Sequence, residues 1–192
     1  MRVDPRNVVF LCGFIVYIAI RGRFASGTRA NVKTIRRVDA TEKVLLVLVG
    51  VTSLLLPALY LFTPVLACAD YPLPAAASWL GGALMLGSVL LFYRAHADLG
   101  LNWSATLEMR EGHTLVTDGV YRSIRHPMYA AILLFDVAQG LMLANWLAGW
   151  SALVIFLLLY VIRAPREERM MADAFGDAYR DYMKRTGRLF PR

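Results

Sequence analysis

Three long stretches of this chain carry almost no charge, and their lengths limit the folds that it can adopt. Val44 to Ala69 has no charged residue over 26 positions, and Tyr71 to Tyr93 has none over 23. About 20 apolar residues are needed for a helix to cross a bilayer core, so each stretch predicts one membrane-spanning helix. Pro127 to Ile162 carries one charge, Asp136, over 36 positions. That length exceeds one span and predicts two short ones.

Two further features complete the predicted set of spans. The 36-residue stretch is expected to form a tight hairpin, because Asn145 suits a turn and Trp146 suits the headgroup level. Val8 to Ile20 is a shorter apolar run of 13 residues, followed by Arg21 and Arg23. A signal peptide carries its basic residues before its apolar core, so this run is interpreted as a membrane anchor. The sequence therefore predicts five transmembrane helices.

The basic residues are distributed unevenly between the predicted loops. Of the 21 Lys and Arg residues, all but Arg2 and Arg6 lie between the first two spans, after the third span or in the C-terminal tail. Basic residues favour the cytoplasmic side of a membrane, which predicts an outside N-terminus and a cytoplasmic C-terminus. The net charge of +7 is then a topology signal. No nucleic-acid partner is expected, since that would need a basic soluble face.

Cysteine and histidine give no metal-site pattern. Cys12 lies within the first predicted span and Cys68 near the end of the second, and the chain has only three histidines. Neither cysteine has the spacing of a metal or redox motif. No metal is therefore expected.

The C-terminal tail has the pattern of an amphipathic helix. Pro165 suits the first turn of a new helix, and apolar residues recur at helical spacing from Met170 to Met183. Such a helix either lies in the membrane interface or folds over the bundle. The predicted fold is therefore all-α and integral to the membrane. It forms one domain over 1–192, with N-terminal spans at about 7–97 and the functional region at about 100–192.

The entry to the fourth span contains a polar cluster, Arg125-His126-Pro127-Met128-Tyr129. Proline costs no hydrogen bond in the first turn of a helix, and the free amides there favour an anionic group. Just upstream, Gly119 and Tyr121 supply a turn and an aromatic ring, which suits an adenosine-type cofactor. The alternative is that Arg125 and His126 only anchor the helix at the headgroups.

A second polar cluster follows the last apolar stretch. Arg163 and Glu167 are four residues apart, so they share a helix face if the helix continues through Pro165. They form either a surface ion pair or a site in which Arg163 holds an anionic substrate and Glu167 faces a cationic or hydroxyl-bearing cofactor group. Asp136 is also a functional candidate, because acidic residues inside spans usually face the bundle interior. The alternative for Asp136 is a simple pairing with a neighbouring polar group such as Gln139.

Five motifs of the C-terminal half occur in the order and spacing of a known family. They are H-T-L-V-T-D-G-V-Y (His113–Tyr121), R-H-P-M-Y (Arg125–Tyr129), A-Q-G-L-M-L-A-N (Ala138–Asn145), R-A-P-R-E-E (Arg163–Glu168) and F-G-D-A-Y-R-D-Y (Phe175–Tyr182). From about Asn102 onward the chain resembles the isoprenylcysteine carboxyl methyltransferase family, within the wider group of small integral-membrane methyltransferases. The N-terminal spans match only in hydropathy.

The resemblance implies a site for S-adenosyl-L-methionine without a Rossmann fold, and the sequence contains no G-x-G-x-x-G. The cofactor-binding residues that it implies are His113, Thr114, Leu115, Val116, Tyr121, His126, Pro127, Met128, Tyr129 and Glu167. Arg163 falls where the family binds the substrate carboxylate, so Arg163 and Glu167 are the implied catalytic residues. Two positions depart from the family. Its glutamine upstream of the histidine has no clear counterpart, with Glu108 nearby, and Asp136 replaces an uncharged residue.

The function that the resemblance implies is methyl transfer to a lipophilic acceptor at the cytoplasmic face of the membrane. Carboxyl O-methylation of an isoprenylcysteine-like substrate is favoured by the Arg163 match, with a prenylated or other lipophilic molecule and membrane lipid as partners. Three alternatives remain open. They are phospholipid N-methylation, which would need Asp136 or Glu167 as a base, an NADPH-dependent membrane reductase related to the sterol reductases, and a non-catalytic lipid-binding or transport protein.

Overall fold

Seven α-helices account for most of the residues that the computed structural model describes, which are 4–27, 33–36, 39–102, 108–110 and 114–192. The helices are Pro5–Gly27 (α1), Ala40–Gly50 (α2), Leu56–Phe62 (α3), Ala75–Leu99 (α4), Pro127–Leu143 (α5), Ser151–Phe175 (α6) and Asp177–Arg185 (α7). Two short strands, Lys33–Arg36 (β1) and Glu108–Arg110 (β2), pair antiparallel. The predicted helical class is confirmed. The small sheet was not predicted, because strands of three or four residues are too short to show an alternating pattern.

Among the described residues, four helical segments are long and apolar enough to cross a membrane: Pro5–Ala25, Ala40–Phe62, Ala75–Leu99 and Trp146–Phe175. The fifth apolar helix, α5, has 17 residues. Within these segments many large apolar side chains are exposed on the molecular surface, and only a minority of the residues is buried. A soluble protein rarely exposes apolar patches of this extent, so these faces are interpreted as contacts with lipid.

Two of the helical segments contain a π-helical turn. Val51–Leu55 joins α2 to α3 without a break, and Trp146–Trp150 leads into α6. A π-helical turn locally widens the helix and is frequent at functional sites. Gly50, Ser53 and Leu54, at the first of these turns, line the large cavity described below.

Aromatic residues from three helices form the main core. Phe10 and Tyr17 of α1, Phe92 of α4 and Phe135 of α5 are all buried. The rings of Tyr17 and Phe92 stack with centroids 3.9 Å apart, and Tyr17 lies 4.7 Å from Phe135. This packing fixes α5 against α1 and α4, so the residues at its N-terminus are held by a rigid helix.

The connection between α5 and α6 is short and strongly hydrogen-bonded. Ala144 ends α5 in the left-handed conformation at φ 49°, and Asn145 caps the next turn by accepting from the amides of Leu147 and Ala148. The Asn145 amide nitrogen donates to the carboxylate of Asp70 at 2.7 Å. Asn145 therefore links this turn to the loop that follows α3.

The prediction of a new helix at Pro165 was wrong, because α6 continues through Pro165 to Phe175. Proline removes one backbone donor from the helix interior, but the last turns of α6 pack against α2 and α7 and keep the helix intact. The break lies instead at Gly176, whose φ is +58°. The separate amphipathic helix, α7, therefore begins at Asp177 and folds back against α6.

Candidate active site

A cavity of about 370 Å³ lies between α1, α2, α5, α6 and α7. Its volume falls within the range of about 300–1,000 Å³ that is usual for small-molecule sites. The predicted site residues that line it are Thr114, Leu115, Val116, Tyr121, His126, Pro127, Met128, Tyr129, Arg163 and Glu167. His113 lies outside the described residues. The two polar clusters of the sequence thus face one common space.

The segment from Thr114 to Tyr121 is held against the end of α4 by hydrogen bonds. The Asn102 side chain accepts from the Thr114 amide at 3.0 Å and donates to the Thr114 hydroxyl at 3.1 Å. The Asp98 carboxylate accepts from the Val120 amide at 2.8 Å. Gly119 has φ +58°, and a Cβ there would lie 2.1 Å from Asp98 Oδ2. Only glycine therefore fits the turn that brings Tyr121 to the cavity.

Tyr121 is buried and is bonded on both sides. Its hydroxyl donates to the Ala95 carbonyl at 3.3 Å, and its own carbonyl accepts from the Tyr182 hydroxyl at 2.7 Å. Burial raises the pKa of Tyr121 above its ordinary value, and the nearby Glu167 carboxylate raises it further. Burial also raises the pKa of Tyr179 and raises that of Tyr182 to about 12. These three rings therefore present neutral aromatic surfaces to the cavity.

The N-terminus of α5 is the next element of the site. Pro127 occupies the first turn and His126 stands at the cap position, where its carbonyl accepts from the Ala130 amide at 3.1 Å. The His126 amide donates to the Arg188 carbonyl at 3.0 Å. The opening amides of a helix and its dipole together favour an anionic group. This end of the cavity is therefore suited to a carboxylate or hydroxyl oxygen.

Glu167 joins the two clusters across the cavity. Its Oε2 accepts from the Tyr129 hydroxyl at 2.6 Å and lies 3.9 Å from Arg163 Nε. The Glu167 side chain remains 31% exposed, whereas that of Arg163 is only 11% exposed. Arg163 Nη1 also lies 3.4 Å from Oε1 of Glu42, a residue of α2. Arg163 is thus set between two carboxylates, and the more accessible one faces the cavity.

Glu168 lies behind this wall and binds three basic side chains. Its Oε1 accepts from Arg125 Nε at 2.7 Å and from Arg188 Nε at 3.0 Å. Its Oε2 accepts from Arg188 Nη2 at 2.5 Å. His126 Nε2 lies 3.2 Å from Glu168 Oε1. Glu168 therefore ties α6, the entry to α5 and the C-terminal tail together, on the side of His126 away from Glu167.

The C-terminal tail closes this side of the site. Gly187 pairs with Ile124 as an isolated parallel bridge, and the Arg125 amide donates to the Gly187 carbonyl at 2.9 Å. The Arg125 side chain also donates, through Nη1, to the Thr186 carbonyl at 2.5 Å. Ahead of the tail, Tyr179 and Tyr182 of α7 face the cavity. Helix α7 is therefore part of the wall, and the tail after it binds the entry to α5 from behind.

Sequence reasoning missed several residues that shape the site. These are Glu42, Asp98, Asn102, Glu168 and Arg188. Most of them hydrogen-bond to site residues far away in sequence, and no local pattern marks such a partner. Glu168 could have been found, since it adjoins Glu167 in the R-A-P-R-E-E motif. Among the described residues there is no group of three His, Cys, Asp or Glu that could hold a metal.

Asp136 lies deeper along the same helix and also lines the cavity. The predicted alternative was a pairing with a neighbouring polar group such as Gln139, and in the described part of the chain no hydrogen bond joins Asp136 to Gln139. The Gln139 side-chain nitrogen donates instead to the carbonyls of Ala148 at 2.7 Å and Thr52 at 3.3 Å.

Parts of this chain are similar in sequence to known proteins. The model of the "Isoprenylcysteine carboxyl methyltransferase (ICMT) family" matches residues 80–173. The protein-S-isoprenylcysteine O-methyltransferase B of Arabidopsis thaliana is 32% identical over 105 residues, which cover 54% of this chain and 53% of that protein. The cobalt-zinc-cadmium resistance protein CzcN of Cupriavidus metallidurans is 34% identical over 97 residues, covering 50% and 44%. The match thus spans about half the length of these relatives.

A solved structure has a similar fold. The eukaryotic intramembrane Ras methyltransferase ICMT, solved without a monobody, gives a TM-score of 0.62 at 24% identity and covers 99% of this chain and 69% of that one. At this identity the likeness concerns the fold alone. Together with the four apolar helices, it identifies this chain as an integral membrane protein. The resemblance of the C-terminal half to the isoprenylcysteine carboxyl methyltransferase family is confirmed by the match of residues 80–173 to the model of that family.

Proposed function

We propose that this protein transfers a methyl group from S-adenosyl-L-methionine to a carboxylate on a lipophilic, isoprenylcysteine-like acceptor. The observation that carries the proposal is the common cavity, in which the α5 entry and the Arg163–Glu167 pair face each other. The match of residues 80–173 to the model of the methyltransferase family supports the same reaction class. The acceptor is the less constrained part, because relatives with different names match the chain to a similar extent.

The proposed topology has five spans, with α5 and α6 as a tight membrane hairpin, the N-terminus outside and the C-terminus cytoplasmic. The whole chain then acts as one domain. The positions of the basic residues support this orientation. It places the α5 entry, Arg163 and α7 at the cytoplasmic membrane face. An acceptor can then reach the cavity laterally, with its apolar part still in the bilayer.

The residues around the cavity fit the cofactor. Its sulfonium group is cationic, and both the Glu167 carboxylate and the tyrosine faces of the wall favour a cation. Its carboxylate matches the amides at the start of α5. We assign cofactor binding to His113, Thr114, Leu115, Val116, Tyr121, His126, Pro127, Met128, Tyr129 and Glu167. When bound, the cofactor supplies an electrophilic methyl group.

The protein's own contribution is positioning and the exclusion of water. A carboxylate acceptor needs no base to remove a proton, so holding the two reactants in line can supply up to about 7–11 kcal/mol of the barrier reduction. Arg163 is suited to orient the acceptor carboxylate through two parallel hydrogen bonds. The attacking oxygen lone pair must stay unshared, since a hydrogen bond there would weaken the nucleophile. Glu42 holds Arg163 from the opposite side.

The experiment is a methyl-transfer assay with purified protein in lipid nanodiscs. Radiolabelled S-adenosyl-L-methionine and N-acetyl-S-farnesylcysteine are supplied, and the product is tested for the base-labile label of a methyl ester. We expect label in the ester fraction, and its loss in Arg163→Ala. Label in a base-stable fraction would indicate an amine acceptor. Absence of any transfer together with binding of NADPH would contradict the proposal and favour a reductase.

A further inference from the structure

Asp136 lies along the cavity at a defined distance from the proposed reaction site. It follows Tyr129 by seven residues on α5, which is two helical turns on the same face and roughly 10 Å along the axis. Both residues line the cavity. The space therefore extends from the Tyr129–Glu167 hydrogen bond into the depth of the proposed hairpin. A lipophilic acceptor would place its hydrocarbon part there.

The surroundings of Asp136 are mostly apolar. Phe14 and Ile18 of α1, Leu54 of the π-helical turn and Ile132 of α5 line the same cavity. Asp136 itself is only 1% exposed, and its Oδ2 has no hydrogen-bond partner among the described residues.

The polar side chains in this region do not bond to that oxygen. Tyr17 and Ser53 also line the cavity, but in the described part of the chain neither makes a hydrogen bond to Asp136 Oδ2. The Gln139 amide nitrogen, one turn further along α5, is bound to two backbone carbonyls.

A buried polar group without a partner is costly. Leaving it unsatisfied costs about 1–3 kcal/mol, and more when it is charged. A ligand that brings a hydrogen-bond donor to this point recovers that free energy. A ligand with a plain hydrocarbon at the same point does not. Asp136 therefore discriminates between acceptor chains that differ only in one polar group.

We infer that Asp136 is a specificity-determining residue of the acceptor site. The acceptor that it favours carries a hydrogen-bond donor, a hydroxyl or amino group, on its buried hydrocarbon chain, at the level of Asp136, which is about 10 Å along α5 from Tyr129. This inference rests on the proposed function for the reaction itself. It goes beyond that function by naming the chemistry of the acceptor's apolar part.

The test uses acceptors that differ in one group. N-acetyl-S-dodecylcysteine is compared with isomers that carry a single hydroxyl at successive chain positions, and kcat/KM is measured for each. We expect the best isomer to exceed the plain chain by about tenfold or more, as one recovered hydrogen bond implies. In Asp136→Leu the preference should vanish or reverse. An isomer with an amino group in place of the hydroxyl distinguishes a cationic donor from a neutral one.

Phe135→Leu is the matched control, because Phe135 lines the same cavity beside Asp136 and the change alters volume without altering polarity. It should change kcat/KM for plain and hydroxylated chains alike and leave their ratio intact. A wild-type protein without preference for any isomer, or an equal preference in wild type and Asp136→Leu, would overturn the inference.

A binding measurement separates this inference from the reaction. The rise in Tm caused by each chain is measured without cofactor, for wild type and Asp136→Leu. If methyl transfer and S-adenosylhomocysteine binding both fail, the proposed function is wrong, but the Tm shifts still decide the role of Asp136. Hydroxylated chains must stabilise the wild type more than plain chains do, and Asp136→Leu must abolish that difference.

Discussion

The Tyr129 hydroxyl donates a hydrogen bond of 2.6 Å to Glu167 Oε2. This bond joins the start of α5 to α6 across the cavity and connects two polar clusters that the sequence separates by 38 positions. In the proposed site it also fixes the carboxylate that faces the cofactor. The pair therefore links the two polar clusters directly.

Removing the Tyr129 hydroxyl should weaken cofactor binding. Tyr129→Phe keeps the ring but leaves Glu167 without its donor, so we expect the Kd for S-adenosylhomocysteine to rise about 3- to 10-fold, the value of one ordinary hydrogen bond. Tyr160→Phe is the control, since the Tyr160 ring packs 5.5 Å from that of Tyr129. Calorimetry on both variants provides the measurement. Equal Kd values in Tyr129→Phe and wild type would refute this role.

Arg163 should act on the acceptor and not on the cofactor. Arg163→Lys removes the planar fork that binds a carboxylate through two hydrogen bonds, so we expect the acceptor KM to rise about tenfold or more. The Kd for S-adenosylhomocysteine should change little. Steady-state kinetics and calorimetry on the same preparation measure both quantities. Full acceptor activity in Arg163→Lys would exclude the proposed contact.

Glu42 should behave as a positioning residue for Arg163. Glu42→Gln keeps the side-chain shape but removes the charge that lies 3.4 Å from Arg163. Arg163 is then held mainly by Glu167 and moves out of line with the acceptor carboxylate. We expect a rise in acceptor KM smaller than that of Arg163→Lys, with unchanged cofactor affinity. A fall in kcat with KM unaltered would contradict this assignment.

Glu168 should be required for stability. Glu168→Gln leaves Arg125 and Arg188 with an uncharged partner, and breaking a buried ion pair typically costs about 3–5 kcal/mol, an upper bound here because Arg188 is half exposed. We expect a lower Tm and faster tryptic cleavage at the C-terminal tail. The control is Asp181→Asn, which breaks an exposed pair with Lys184 and should shift Tm little. Equal effects in the two variants would contradict the prediction.

The turn at Gly119 should not tolerate a side chain. Gly119→Ala combines a positive φ with a Cβ only 2.1 Å from Asp98 Oδ2, so the segment that carries Tyr121 must move. We expect a lower Tm and weaker binding of S-adenosylhomocysteine. Gly82→Ala is the control, because a Cβ there meets nothing within 4 Å and alanine favours the helix. If Gly119→Ala binds as wild type does, the turn does not position the site.

The sequence predicted those parts of the site that depend on local pattern. Apolar run lengths gave the long helices, and Pro127 marked the start of α5 because proline suits a first helical turn. Arg163 and Glu167 lie on the same face of α6 because they are four residues apart and the helix continues through Pro165. The C-terminal motifs pointed to the family whose model matches residues 80–173.

The parts that the sequence did not predict depend on distant partners. Glu42 meets Arg163 from another helix, 121 positions away, and Arg188 reaches Glu168 only because α7 folds back at Gly176. The helix at Pro165 was misplaced because a proline in a helix interior looks locally like a helix start. Tertiary packing decides whether a helix continues through a proline and which distant residues meet, and a single sequence contains no local pattern that reports this packing.

The most direct test of the proposed site is the binding of S-adenosylhomocysteine to detergent-solubilised protein, measured by calorimetry. Wild type is compared with Glu167→Ala and Tyr121→Ala, which alter two different elements of the cavity wall. We predict micromolar binding by the wild type and its loss in both variants. Absence of binding by a folded wild-type protein, or unchanged binding in both variants, would contradict a cofactor site formed by the two clusters.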